Sequence, residues 1–129
     1  MAPKSNRLFF YGSLRKGQNN YERFVSEWPE AMTDVASGYI EGFELADLVT
    51  HCSIVPAAPE ARVFGDVFDV SDNAFQSIEA LERSYGYTRQ PVDVHTGSGE
   101  TLRADVYGFA RPEELASAPR IKSGDWTRR

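Results

Sequence analysis

The chain has 129 residues, 41% of them hydrophobic and 26% charged, the balance expected of one globular domain spanning 1–129. Its formal charge of −5 and scattered basic residues argue against a nucleic-acid partner, which calls for clustered Lys and Arg. Cys52 is the only cysteine, so an intrachain disulfide is excluded, and no apolar stretch reaches the length of a signal core or a membrane span; the expected setting is cytoplasmic, with no membrane partner.

Leu8-Phe9-Phe10-Tyr11 is a short aromatic-rich apolar run stopped by Gly12-Ser13, and it reads as a buried first strand. The polar stretch Arg15 to Asn20 is a loop, and Tyr21 to Trp28 has the pattern of a helix that Pro29 ends. Val35 to Leu45 alternates loosely and is broken by Gly38 and Gly42, as in one bent strand. Ser53-Ile54-Val55 and Arg62 to Val70 follow as strands, with Pro56 and Pro59 in the turn-rich stretch between them. Ser71 or Asp72 then caps a helix running to about Arg83. Thr88 to Thr96 and Leu102 to Phe109 form a hairpin through Gly97-Ser98-Gly99-Glu100. The tail from Arg111 turns at Pro112, Pro119 and Gly124, and Trp126 is the residue expected to anchor it. Many strands with one or two helices predict an α+β fold, a small mixed β-barrel with flanking helices.

At about 100° per residue, Ala74, Phe75, Ile78 and Leu81 share one broad face of the second helix. Glu82 falls inside that face, and Glu79 lies near its edge. A carboxylate on an apolar face breaks the binary pattern, and such breaks are functional or paired. Burial and the negative end of the helix dipole both raise a carboxyl pKa, which suits general acid/base work near neutral pH. Two readings stay open on this pattern alone. Glu82 is either such an acid/base, or a structural carboxylate paired with Arg83, Arg89 or another Arg or left in solvent.

Tyr11-Gly12-Ser13-Leu14 sits where the first strand gives way to a loop. Gly12 permits φ > 0 or a close backbone approach, and consecutive N–H groups of such a turn can hold a carboxylate or an oxyanion. Ser13 adds a hydroxyl, although a plain strand-to-loop turn has the same pattern. His51-Cys52 cannot form a dyad if extended, because adjacent side chains point to opposite faces; Cys52 reads as a small buried residue. Two histidines and one cysteine lack metal-ligand spacing, and Ser13 lacks the elbow motif of a triad nucleophile.

Several segments, in order, resemble the gamma-glutamylcyclotransferase-like family, which includes the gamma-glutamylamine cyclotransferases. Phe10-Tyr11-Gly12-Ser13-Leu14-Arg15-Lys16-Gly17 is similar to the family's opening loop, and Val63-Phe64-Gly65-Asp66-Val67-Phe68-Asp69-Val70 to its central strand. Ile78-Glu79-Ala80-Leu81-Glu82, then Tyr87-Thr88-Arg89 and Val92-Asp93-Val94, resemble the helix that ends on the catalytic Glu and the strand after it. Val106-Tyr107-Gly108-Phe109 and Ser123-Gly124-Asp125-Trp126 also fit. The resemblance implies catalysis by Glu82 and substrate binding by Tyr11, Gly12, Ser13, Leu14 and Tyr87. The chain departs from the family by having no Asn between Ser13 and Leu14. It also has Arg83 where many members have Gly, followed by an added Ser84-Tyr85-Gly86.

The implied substrate is a small-molecule gamma-glutamyl amide, cyclised to 5-oxoproline with release of an amine or amino acid, with no cofactor and no metal. Attack by the substrate's own α-amine builds proximity in, so proton transfer and charge stabilisation remain for the protein. The rival reading is a binding or interaction module on the same fold with a structural Glu82. Oligomeric state leaves no signal in the sequence.

Overall fold

The apolar run Leu8-Phe9-Phe10-Tyr11 belongs to a strand covered on both faces. In the computed structural model, which describes residues 6–12, 32–49 and 51–128, β1 (Asn6–Phe10) sends Phe9 into one core and Leu8 and Phe10 into another. Tyr11, just past the strand, joins Phe9. The period-two alternation of a strand thus divides one continuous apolar run between two cores. The expected loop over Arg15 to Asn20, the helix over Tyr21 to Trp28, and the site candidates Ser13 and Leu14 lie outside the described residues.

The remaining elements are β2 (Met32–Glu41), β3 (Phe43–Asp47), β4 (Cys52–Pro56), β5 (Arg62–Val70), α1 (Asp72–Ser84), β6 (Tyr87–Thr96) and β7 (Thr101–Phe109). The segment expected as one bent strand from Val35 to Leu45 is two strands. Gly42, at φ 86°, turns the chain between them, a backbone conformation that costs glycine little. The hairpin of β6 and β7 forms as its turn residues require, with Thr96 N–H donating to the Glu100 carbonyl at 2.9 Å.

The expectation of a small mixed β-barrel with flanking helices needs correction. Strand pairing runs β1-β5-β2-β6-β7 and returns to β1, but the β2–β6 and β7–β1 seams hold through two residue pairs each. The five strands therefore form a strongly curved mixed sheet laced at two thin seams, rather than an evenly closed barrel wall. The physical reason is register: β6 turns into its hairpin just after Thr96 meets Gly38, so the first half of β2 runs past it. β3 and β4 stand outside as a separate antiparallel pair, and α1 is the one α-helix among the described residues.

The concave side of the sheet is filled by Phe9, Ile40, Val63, Val67, Val94 and Val106, with Leu45, Ile54 and Trp126 packed in the same cluster. On the convex side Leu8, Phe10, Phe68, Val70, Tyr87 and Tyr107 meet Ala74 and Ile78 of α1. Ser71 caps α1, its Oγ accepting from Ala74 N–H at 3.3 Å. Phe75 is partly buried on the same face, but Leu81, expected there, is 44% exposed. Tyr85 and Gly86 then close the helix, with Gly86 at φ 83° and its N–H donating to the Arg83 carbonyl at 3.0 Å.

Candidate active site

Near the last turn of α1, the ends of β1, β4, β6 and β7 present polar groups. Tyr11 follows β1, Cys52 opens β4, Tyr87 opens β6, and Tyr107 lies in β7. Tyr11 Oη donates to the Tyr107 carbonyl at 2.5 Å, and Tyr87 Oη donates to the Cys52 carbonyl at 2.8 Å. Ser53, fully buried, accepts from Phe109 N–H and donates to the Ile54 carbonyl, both at 3.0 Å, so it fixes β4 to β7 beneath the tyrosines. A β-carbon on Gly12 would lie 3.2 Å from Cys52 Sγ. The glycine is there for close approach of the backbone, and its φ is not among the positive values.

Glu82 stands in the last turn of α1 beside this group. Its carboxylate has no hydrogen-bond or ion-pair partner among the described residues. Burial, aided by the negative charge of Glu79 one turn earlier, raises its pKa from an ordinary 4.5 to about 7. Glu82 in turn adds to the rise in the pKa values of Tyr11, Tyr87 and Tyr107, all three of which are pushed up chiefly by burial. Four of the expected site residues, Tyr11, Gly12, Tyr87 and Glu82, are thus drawn to one place.

The arginines expected as partners of Glu82 in its structural reading go elsewhere. Glu79 accepts from Arg83 Nε at 2.8 Å, from Arg89 Nε at 3.0 Å and from Tyr107 Oη at 2.5 Å. Burial works against ionisation of Glu79, but these three hydrogen bonds prevail and hold its pKa below the ordinary value. Arg89 also donates to Asp105 Oδ2 at 2.6 Å and lies over the Phe75 ring. Glu79, Arg89, Tyr107 and Ser53 are residues to which the sequence reading gave no role in the site, Glu79 being set at the edge of the helix face and Arg89 weighed only as a structural partner of Glu82. One signal for them was present: Arg89 shares a strand face with Tyr87, and β-pairing sets it directly opposite Tyr107. Among the described residues no group of three or more His, Cys, Asp or Glu is arranged to hold a metal.

A half-buried carboxyl with a pKa raised to about 7, and with no partner among the described residues, has the properties that proton transfer on a small molecule requires. Comparison with known proteins gives that site a family. Residues 8–128 match the gamma-glutamyl cyclotransferase, AIG2-like family, and the chain belongs to it. The gamma-glutamylcyclotransferase family protein YtfP of Escherichia coli K12 is 30% identical over 121 residues, 93% of this chain and 95% of that protein. Gamma-glutamylaminecyclotransferase B of Danio rerio is 26% identical over 113 residues, 81% of this chain and 58% of that protein. The crystal structure of an AIG2-like protein from Mus musculus superposes with a TM-score of 0.77 at 19% identity, over 93% of this chain and 88% of that one, a likeness of fold. Gamma-glutamylcyclotransferase-type chemistry is therefore the family's province. No helix among the described residues is long and apolar enough to cross a membrane.

Proposed function

We propose that the chain cyclises a gamma-glutamyl amide to 5-oxoproline, releasing an amine or amino acid, with Glu82 as general acid/base and no cofactor. The observation that carries this reading is the unpaired, half-buried Glu82 carboxyl, whose pKa of about 7 leaves both protonation states populated near neutral pH. Glu82 takes a proton from the substrate's α-ammonium, and the freed amine attacks the γ-carbonyl carbon. The new C–N bond closes the five-membered ring. The amide C–N bond then breaks, and the protons shed by the attacking nitrogen pass by way of Glu82 to the departing amine, which leaves as an ammonium.

The other roles follow by position. Backbone N–H groups of the segment Gly12-Ser13-Leu14, chosen on sequence, hold the substrate carboxylate or the developing oxyanion. Tyr11 and Tyr87 offer their rings to the substrate, since both hydroxyls are held by backbone carbonyls. The Danio rerio relative's name supports a gamma-glutamylamine as the first substrate to try. The test is a panel of gamma-glutamyl amines, amino acids and peptides assayed for 5-oxoproline, with and without chelator. Release from at least one, unaffected by chelator, is expected. No release from any of them by well-folded protein would leave a binding module as the better reading.

A further inference from the structure

Glu79 stands one helical turn from Glu82 and holds both arginines that the sequence offers as partners for Glu82. Its side chain is 18% exposed, whereas that of Arg83 is 68% exposed. Oε1 takes Arg83, and Oε2 takes both Arg89 and Tyr107. The Tyr107 backbone carbonyl in turn receives the Tyr11 hydroxyl, so Glu79 is joined through one residue to the strand end that precedes the Gly12 loop. Arg89 is shared with Asp105, which prevents its swinging toward a second carboxylate at no cost.

We propose that Glu79 is a positioning residue of this site: by binding Arg83, Arg89 and Tyr107 it keeps the Glu82 carboxyl unpaired and holds Tyr11 in register with it. The proposal rests on the reading of Glu82 as the acid/base. The groups that act on Glu82, or on which it acts, are Glu79 on α1, Tyr87 on β6, Tyr107 on β7 and Tyr11 after β1; Arg83, Arg89 and Asp105 are linked to it through Glu79. Glu79 is the anion that acts on Glu82 directly, and removing its charge also releases the two arginines it holds, one helical turn from Glu82. Both effects favour ionisation of Glu82. A brace with no electrostatic role would lower turnover equally at every pH.

The experiment is a pH profile of kcat/KM together with a carbon-13 NMR titration of the Glu82 carboxyl, in the wild type, Glu79→Gln and Arg83→Gln. Glu79→Gln is expected to move the Glu82 titration and the acid limb down by about one pH unit, as for loss of a like charge nearby. Arg83→Gln, a change at an exposed side chain, is expected to move both upward, and it keeps the test alive should Glu79→Gln fail to fold. Tyr107→Phe, which leaves the Glu79 charge in place, is expected to lower kcat/KM with little movement of the limb. Glu82 titrating at one pH in all variants would overturn the proposal. Opposite shifts by NMR in a protein that turns over no substrate would support the coupling and overturn the cyclotransferase reading instead.

Discussion

Replacing Glu82 by Gln keeps the shape of the side chain but removes its proton exchange. Loss of general acid/base catalysis typically costs about 10²–10⁴-fold, so kcat should collapse by that order while substrate binding largely survives. In the wild type, kcat/KM should rise with pH through a limb centred near Glu82's pKa of about 7. The stability effect has a definite sign. Because the folded pKa lies above the ordinary 4.5, the folded state favours the protonated carboxyl. That advantage is complete below the unfolded pKa and is lost as pH rises through about 7. Glu82→Gln should therefore raise Tm relative to wild type more at pH 8 than at pH 5, and a difference flat with pH would count against burial as the cause. Glu79 behaves oppositely: its pKa is held down, so its contribution is present at neutral pH and lost on acidification below its ordinary value. On the helical pattern alone, Glu79→Gln would be a silent control; its three hydrogen bonds give reason to expect a measurable effect instead. At Gly12 the close approach to Cys52 Sγ gives a paired test. Gly12→Val should raise KM strongly, and Cys52→Ala in the same chain should recover part of the loss by making room. Unchanged kinetics in Gly12→Val would remove this turn from the site.

At the scale of single elements, α1 holds the site through a short apolar contact. Ala74 and Ile78 are fully buried against the sheet, and Glu82, one turn after Ile78 on the same face, is half-buried. Ile78→Ala should cost about 2–5 kcal/mol in denaturant unfolding, the usual range for such a truncation in a core. It should also lower activity below the melting transition, because the Glu82 turn loses its nearest anchor. The strands make a similar division of labour. Gly65 of β5 leaves room for the Phe9 ring and the Phe10 carbonyl, either of which would lie about 2.5 Å or less from an added β-carbon. The next residue, Asp66, is buried and accepts from Ser37 Oγ at 2.9 Å. The Gly-acidic pair of the central strand thus has a packing role at Gly65 and a hydrogen-bonding one at Asp66.

Across the whole molecule, the tail after β7 ties the separate β3–β4 pair to the curved sheet. Asp47 N–H donates to the Pro119 carbonyl, Ile121 N–H to the Leu45 carbonyl, and Phe64 N–H to the Gly124 carbonyl, each at 2.8 Å. Trp126, 4% exposed, closes the concave core from this side. Because β4 carries Cys52 and Ser53 into the site, loosening the tail should reach the site through β3 and β4. Trp126→Ala is expected to lower stability by about 3–5 kcal/mol and to weaken substrate binding more than kcat. Loss of stability with an unchanged KM in folded protein would separate the tail from the site.

The sequence by itself determined the local pieces. Strand limits at Arg62–Val70, the β6–β7 turn, the Ser71 cap and the anchoring Trp126 are each set by residues within a few positions of one another. It also singled out Glu82, because a carboxylate on an apolar helix face breaks a short-range pattern. What the tertiary structure decided was partnership. Arg83 and Arg89 were both within reach of either carboxylate on the sequence, and only the pairing of Arg89 opposite Tyr107 assigns them to Glu79. The thin seams of the sheet, the outlying β3–β4 pair and the exposure of Leu81 have the same origin. Each depends on register and packing between segments distant in sequence, where side-chain period says which face is apolar but not what will cover it.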